Sequence, residues 1–128
     1  MARVVLDSSV LIALLSPKDQ HHESVRRSLT AKHEYFISAL TLTEALIAPH
    51  RVSAAIGQQM LTAIKKSVHE VIDIDSGIAV LAAQIRANSN ISLPDALISA
   101  TATVSKSQLW TCDKALGKAH KGTVKALF

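Results

Sequence analysis

The stretch "RVVLDSSVLIALL", Arg3 to Leu15, joins two periodicities at a single acid. "RVVLD" (3–7) carries an unbroken apolar run, the pattern of a strand buried on both faces. "SSVLIALL" (8–15) reads as a short helix that stops before Pro17. A buried strand that feeds directly into a helix is the opening unit of an α/β layer.

Working outward, the same alternation continues. After a polar, partly helical segment (18–34), "YFIS" (35–38) is the next strand. "TLTEALIAPH" (41–50) starts a helix that Pro49 should end or kink, and "VSAAIGQQMLTAIKKS" (52–67) has helical spacing. "EVIDI" (70–74) is a third strand, with Asp73 alternating between two isoleucines and Asp75 set to cap the next helix. "SGIAVLAAQIRANS" (76–89) and "PDALISATATVSKS" (94–107) are helices. "QLWT" (108–111) is a strand, a short helix covers Lys114 to Lys118, and "TVKALF" (123–128) is a last, edge strand. This order predicts an α/β fold in three layers, with a mainly parallel central sheet of about five strands flanked by helices.

Composition agrees. The 128 residues suit a single domain, 1–128, with one core. Hydrophobic residues make up 48% and aromatics only 3%, so Val, Ile, Leu and Ala must build that core. Cys112 is the one cysteine, which excludes an internal disulfide and a cysteine-rich zinc site and fits a reducing cytosol. Arg3 and the following apolar run imitate a signal peptide, but Asp7, Ser8 and Ser9 interrupt it. No run approaches the roughly 18 apolar residues of a membrane span. The expected protein is therefore cytoplasmic, with no membrane partner.

The ten acids are not evenly spread in role. In parallel sheets, sites form beyond the carboxyl ends of the strands. Asp7 and Asp113 each follow a strand, and Glu44 and Asp95 each lie in the first turn of a helix. Taken singly, all four read as helix caps. Asp7 and Asp113 fit the N-cap position, while Thr41–Glu44 and Ser92–Asp95 have capping-box spacing. Taken together at one end of a small sheet, they would repel one another and raise one another's pKa values. A hard divalent cation removes that penalty, because carboxylate oxygens are its preferred ligands. Set apart from these four, six acids face 14 Lys and Arg, and the pI is near 9.5. An acidic site on a basic body suits metal-assisted attack on a polyanion.

These residues resemble the PIN-domain family, in particular the VapC-type toxins of VapBC toxin–antitoxin pairs. "VVLDSSVLIALL" resembles the family's first motif, a strand, an Asp and a small hydroxyl residue before an apolar helix. "ISALTLTEAL" resembles the second, with Ser or Thr ahead of a helical Glu. "LPDALISATA" resembles the third, an Asp opening an Ala-rich helix, and "LWTCDKAL" the fourth, a strand leading to Thr-x-Asp. The four motifs stand in order from residue 4 to residue 116. Departures are small: Leu116 stands where an aromatic is frequent, and no late proline follows Val124.

The resemblance implies an endoribonuclease that uses Mg²⁺ or Mn²⁺, one or two ions. It implies Asp7, Glu44, Asp95 and Asp113 as the catalytic, metal-holding acidic quartet; Asp7 and Asp95 are the first candidates for direct ligands, with Glu44 and Asp113 acting directly or through water. Ser9 and Thr111 match the supporting hydroxyl residues. It further implies a homodimer, an RNA substrate and a cognate antitoxin. Lys114, adjoining Asp113, and Arg86 are the candidate RNA-phosphate contacts, within a C-terminal region also rich in lysine. With so few aromatics, recognition should rest on shape and backbone.

Other readings are weaker. The six histidines show neither His-Glu-x-x-His nor a cysteine partner at finger spacing. A haloacid-dehalogenase-type phosphohydrolase wants a second Asp where Ser9 stands, and a receiver domain wants paired acids where Ser8 stands. Within the resembled family, the alternatives are an RNA-processing nuclease without a toxin role and a catalytically silent binding module.

Overall fold

The computed structural model describes residues 2–128. Five strands form one sheet: β1 (Arg3–Leu6), β2 (Glu34–Ser38), β3 (Glu70–Ile72), β4 (Gln108–Thr111) and β5 (Val124–Ala126). Their order is β3-β2-β1-β4-β5, and every pairing is parallel. The helices are α1 (Ser8–Leu15), α2 (His22–Ser28), α3 (Ala39–Val52), α4 (Ala54–Ser67), α5 (Ser76–Asn88), α6 (Leu93–Val104) and α7 (Lys114–Ala119).

Side chains alternate across the strands, and each face has its own core. Val4, Leu6, Tyr35, Ile37 and Trp110 point to one side, where they meet Val10, Leu11, Val25, Ala45 and Ile64 from α1 to α4. Val5, Phe36 and Leu109 point to the other, against Ile78, Ala82, Ile98 and Leu116 from α5 to α7. The result is the three-layer α/β fold that the alternation predicts. In α6, Ala96, Ala100 and Ala102 are fully buried and Ser99 nearly so, and the helix packs on β1 and β4. Small residues permit that close approach.

Three local expectations change. α3 does not stop at Pro49 but runs to Val52. Pro49 only removes the bond its own N–H would have made, and packing of α3 along α4 holds the remaining turn. β3 ends at Ile72, because its partner ends there: Ser38 is opposite Ile72 and the chain then turns into α3. Asp73 and Ile74 are accordingly exposed linker residues, while Asp75 does cap α5 by accepting from the Ile78 amide at 2.9 Å. The "TLTE" capping box does not form either. Ser38 is the N-cap of α3, accepting from the Leu40 amide at 3.1 Å, and Thr41 is buried inside the helix.

Candidate active site

From β1 the chain steps outward to β2 and β3, then crosses back to β4 and β5 on the other side. The crevice between β1 and β4 is therefore the topological switch point, where parallel sheets form their sites. Both strands carry an acid there. The register sets Leu6 opposite Trp110, which brings Asp7 level with Thr111. The Asp7 amide donates to the Trp110 carbonyl at 3.0 Å and extends the pairing by one residue.

Asp7 stands at the N-cap position of α1, yet its side chain does not cap. Its Oδ2 accepts instead from Ser9 Oγ at 2.6 Å and from Thr111 Oγ1 at 2.9 Å. Each hydroxyl is itself fixed from behind. Ser9 Oγ accepts from the Cys112 amide at 3.1 Å, and Thr111 Oγ1 from the Asp113 amide at 2.9 Å. The two strand ends are thus stitched together through one carboxylate oxygen. Asp7 is only 4% exposed, and burial raises its pKa despite the hydroxyl bonds that favour the charged form; the Asp113 charge adds to the rise.

Asp95 enters from α6. Ser92 is the N-cap of that helix and accepts from the Asp95 amide at 3.2 Å, so the predicted cap is present. The half-buried Asp95 carboxyl is pushed up to about 6, first by burial, then by the charges of Asp7 and Asp113. Asp113 is also near enough to act as its hydrogen-bonding partner. Asp113 meanwhile caps α7 through Oδ1, accepting from the amides of Ala115 at 2.8 Å and Leu116 at 3.3 Å. Three carboxylates thus act on one another across one mouth.

Glu44 is tied to the hydroxyls of Ser8 and Thr41, a role that the sequence reading did not single out for either. Ser8 Oγ donates to Glu44 Oε1 at 2.6 Å, and Ser8 Oγ lies 3.1 Å from Thr41 Oγ1. Since the one Ser8 hydrogen goes to Glu44, Thr41 is the donor in the second bond. The signal in the sequence was the doubled hydroxyl after Asp7 and the Thr three residues before Glu44.

The remaining candidates stand at the surface. Lys114, the first residue of α7, is exposed and places Nζ 5.5 Å from the centre of the Phe128 ring. Arg86 is exposed in the last turn of α5, and no hydrogen bond or ion pair ties it to the acids among the described residues. The half-buried Cys112 thiol is pushed up to about 11, chiefly by burial, so it stays protonated and is a poor nucleophile.

The donor set suits a hard divalent cation. It consists of carboxylate oxygens supported by hydroxyls, two of them with raised pKa, and the only ion pairs among the described residues belong to Glu23. The acids interact across the mouth without being gathered around one point: among the described residues, no three His, Cys, Asp or Glu side chains form a ready-made metal cage.

Several solved structures share this fold. A toxin–antitoxin complex from Klebsiella pneumoniae aligns at TM-score 0.77 with 22% identity, over 98% of each chain. DNA-bound VapBC from Salmonella typhimurium aligns at 0.78 with 19% identity, over 100% of each. VapC20 of Mycobacterium tuberculosis, described as a sarcin-ricin loop cleaving toxin, aligns at 0.74 with 19% identity, over 91% of this chain and 94% of that one. No curated protein matches the chain at a significant level. The family model of the PIN domain matches residues 4–122, nearly the whole length, and the chain belongs to the PIN-domain family.

Proposed function

We propose that the chain, acting as a single PIN domain, is a Mg²⁺- or Mn²⁺-dependent endoribonuclease and the toxin of a toxin–antitoxin pair. The observation that carries the catalytic reading is that the charges of Asp7, Asp95 and Asp113 act on one another across the switch-point mouth of an otherwise basic protein. The toxin role draws its support from the company the fold keeps, since the similar structures include toxin–antitoxin complexes.

Asp7, Asp95 and Asp113 would hold one or two ions, with Glu44 contributing directly or through water. When bound, such an ion lowers the pKa of a water molecule and offsets charge on the phosphodiester. The chain's own groups set the stage. Ser9 and Thr111 fix the Asp7 carboxylate through Oδ2, so it needs no reorganisation when substrate arrives. The α6 N-terminus holds Asp95 in direction, and Ser8 does the same for Glu44. Lys114, which adjoins Asp113, and Arg86 are both exposed and would meet RNA phosphates. Trp110, Tyr35 and Phe36 are buried in the sheet, which leaves little aromatic surface for base stacking. The proposed toxin is cytoplasmic and assembles as a homodimer with its antitoxin; no helix among the described residues is long and apolar enough to cross a membrane.

RNA cleavage measured with Mg²⁺, with Mn²⁺ and with EDTA, on the native chain and on Asp95→Asn, tests the proposal. Cleavage should need the metal and be lost in the folded variant. Undiminished cleavage in EDTA, or full activity in Asp95→Asn, would sink it.

A further inference from the structure

At the pole of the sheet opposite the acids, the strands begin, and a cavity of about 460 Å³ opens there. His33 lies just before β2, His69 just before β3, and Tyr35 is the second residue of β2; all three line the cavity, together with Arg26 of α2. Leu14, Leu29 and Ala31 supply an apolar wall. No carboxylate lines it.

Hydrogen bonds to the backbone fix the proton positions of both imidazoles. His33 Nδ1 accepts from the Ala2 amide at 3.1 Å, and His69 Nδ1 accepts from the Tyr35 amide at 3.0 Å. A ring nitrogen that accepts an N–H carries no hydrogen, so the hydrogen of each ring sits on Nε2. Among the described residues neither Nε2–H has an acceptor. The Tyr35 hydroxyl is in the same position: it accepts from the Thr30 amide at 2.9 Å, and its own hydrogen has no acceptor among the described residues. Arg26 meets Glu23 through Nε and Nη2, which leaves Nη1 unengaged. The polar groups that these four residues offer are therefore donors; of the two hydroxyls that also line the cavity, Thr30 Oγ1 accepts from the Lys32 amide and keeps its own hydrogen, while Ser67 Oγ gives its hydrogen to the Ala63 carbonyl. Both imidazoles are committed against metal binding, because a metal on Nε2 would need the lone pair that the hydrogen occupies.

We infer that this cavity is a second binding site, for a phosphomonoester on a small organic body. Donors from four residues exceed what two carboxylate oxygens use well, and they match the three terminal oxygens of a phosphate. The volume falls within the range of small-ligand pockets, and the apolar wall suits a nucleoside-sized remainder. The site faces away from Asp7, Asp95 and Asp113 and does not rest on the nuclease reading.

The test is calorimetry on the intact chain in EDTA, with a 5′-mononucleotide such as AMP, with the matching nucleoside, with inorganic phosphate and with succinate. The mononucleotide should bind, phosphate should bind more weakly, and the nucleoside and succinate should not bind. Asparagine retains an acceptor near the place of Nδ1 but lacks the Nε2–H. His33→Asn and His69→Asn should thus each weaken binding about tenfold, through loss of one charge-assisted bond, with RNA cleavage and melting unchanged. Asp95→Asn should bind the mononucleotide as the native chain does. If an Asn variant unfolds, Arg26→Gln at the exposed rim gives the same readout. No binding at millimolar mononucleotide, binding untouched by these substitutions, or succinate bound as tightly would overturn the assignment.

Discussion

Replacing Asp95 by asparagine should stabilise the metal-free protein, although it removes an acid from a helix N-terminus. The Asp95 carboxyl is raised from 3.8 to about 6 by burial and by the charges of Asp7 and Asp113. The sign comes from linkage: a raised carboxyl pKa means that the folded state binds the proton more tightly than the unfolded state. Below the unfolded value Asp95 costs nothing. As the pH climbs through the folded value the cost develops, and above about 6 it is fully present. At 1.36 kcal/mol per pKa unit this amounts to about 3 kcal/mol. The side chain is only half-buried, so screening by water brings the expected figure to about 1 kcal/mol. In a chain of this length that is about 4 °C in Tm. Urea or thermal melts in EDTA at pH 7 should show Asp95→Asn the more stable by that margin, and the gain should fade towards pH 4. Mg²⁺ should narrow the gap by stabilising the native chain alone. A variant less stable than the native chain at pH 7, or a gain that does not change with pH, would refute the idea of three mutually uncompensated acids.

The geometry sets four further outcomes. Thr111→Val removes the donor to Asp7 Oδ2 and the acceptor of the Asp113 amide, and should cost about 2 kcal/mol in urea unfolding as well as reducing cleavage. Ser8→Ala frees Glu44 and should lower kcat about tenfold with KM nearly unchanged, in steady-state RNA cleavage. Lys114→Ala should reduce the slope of log K against log salt for RNA binding by about one; an unchanged slope removes Lys114 from the interface. Lys106 holds a positive φ of 54° at the end of α6, so Lys106→Gly should raise stability by about 0.5–1 kcal/mol in thermal melts.

Much of the fold was legible because the signals are local. The buried strand ahead of Asp7, the Ala-rich run after Asp95 and the strand "QLWT" each declare themselves within a few residues, and their order leads to a parallel sheet. The positions of Asp7, Asp95 and Asp113 at strand and helix ends were legible for the same reason, whereas Glu44, expected in the first turn of its helix, lies in the second turn of α3 because that helix begins at Ala39. Where a reading depended on the element lying opposite, it failed. "EVIDI" alternates well enough for five residues of strand, but β3 stops when β2 turns into its helix. "TLTE" has cap spacing, yet the helix begins earlier at Ser38, and Thr41 instead supports Ser8.

What the sequence alone determined is the succession of elements and the chemical types placed at their ends, since backbone preference and apolar periodicity act over one or two turns. What only the tertiary structure decided is which of those ends meet. Register sets Asp7 against Thr111 across 104 residues of chain, and brings Asp95 and Asp113 within reach of the same mouth while Glu44 is tied to Ser8. It also decided the proton positions of His33 and His69, through amides 31 and 34 residues away. Such contacts carry no local trace, because they arise from pairings between strands distant in sequence and not from the conformational preferences of the residues that make them.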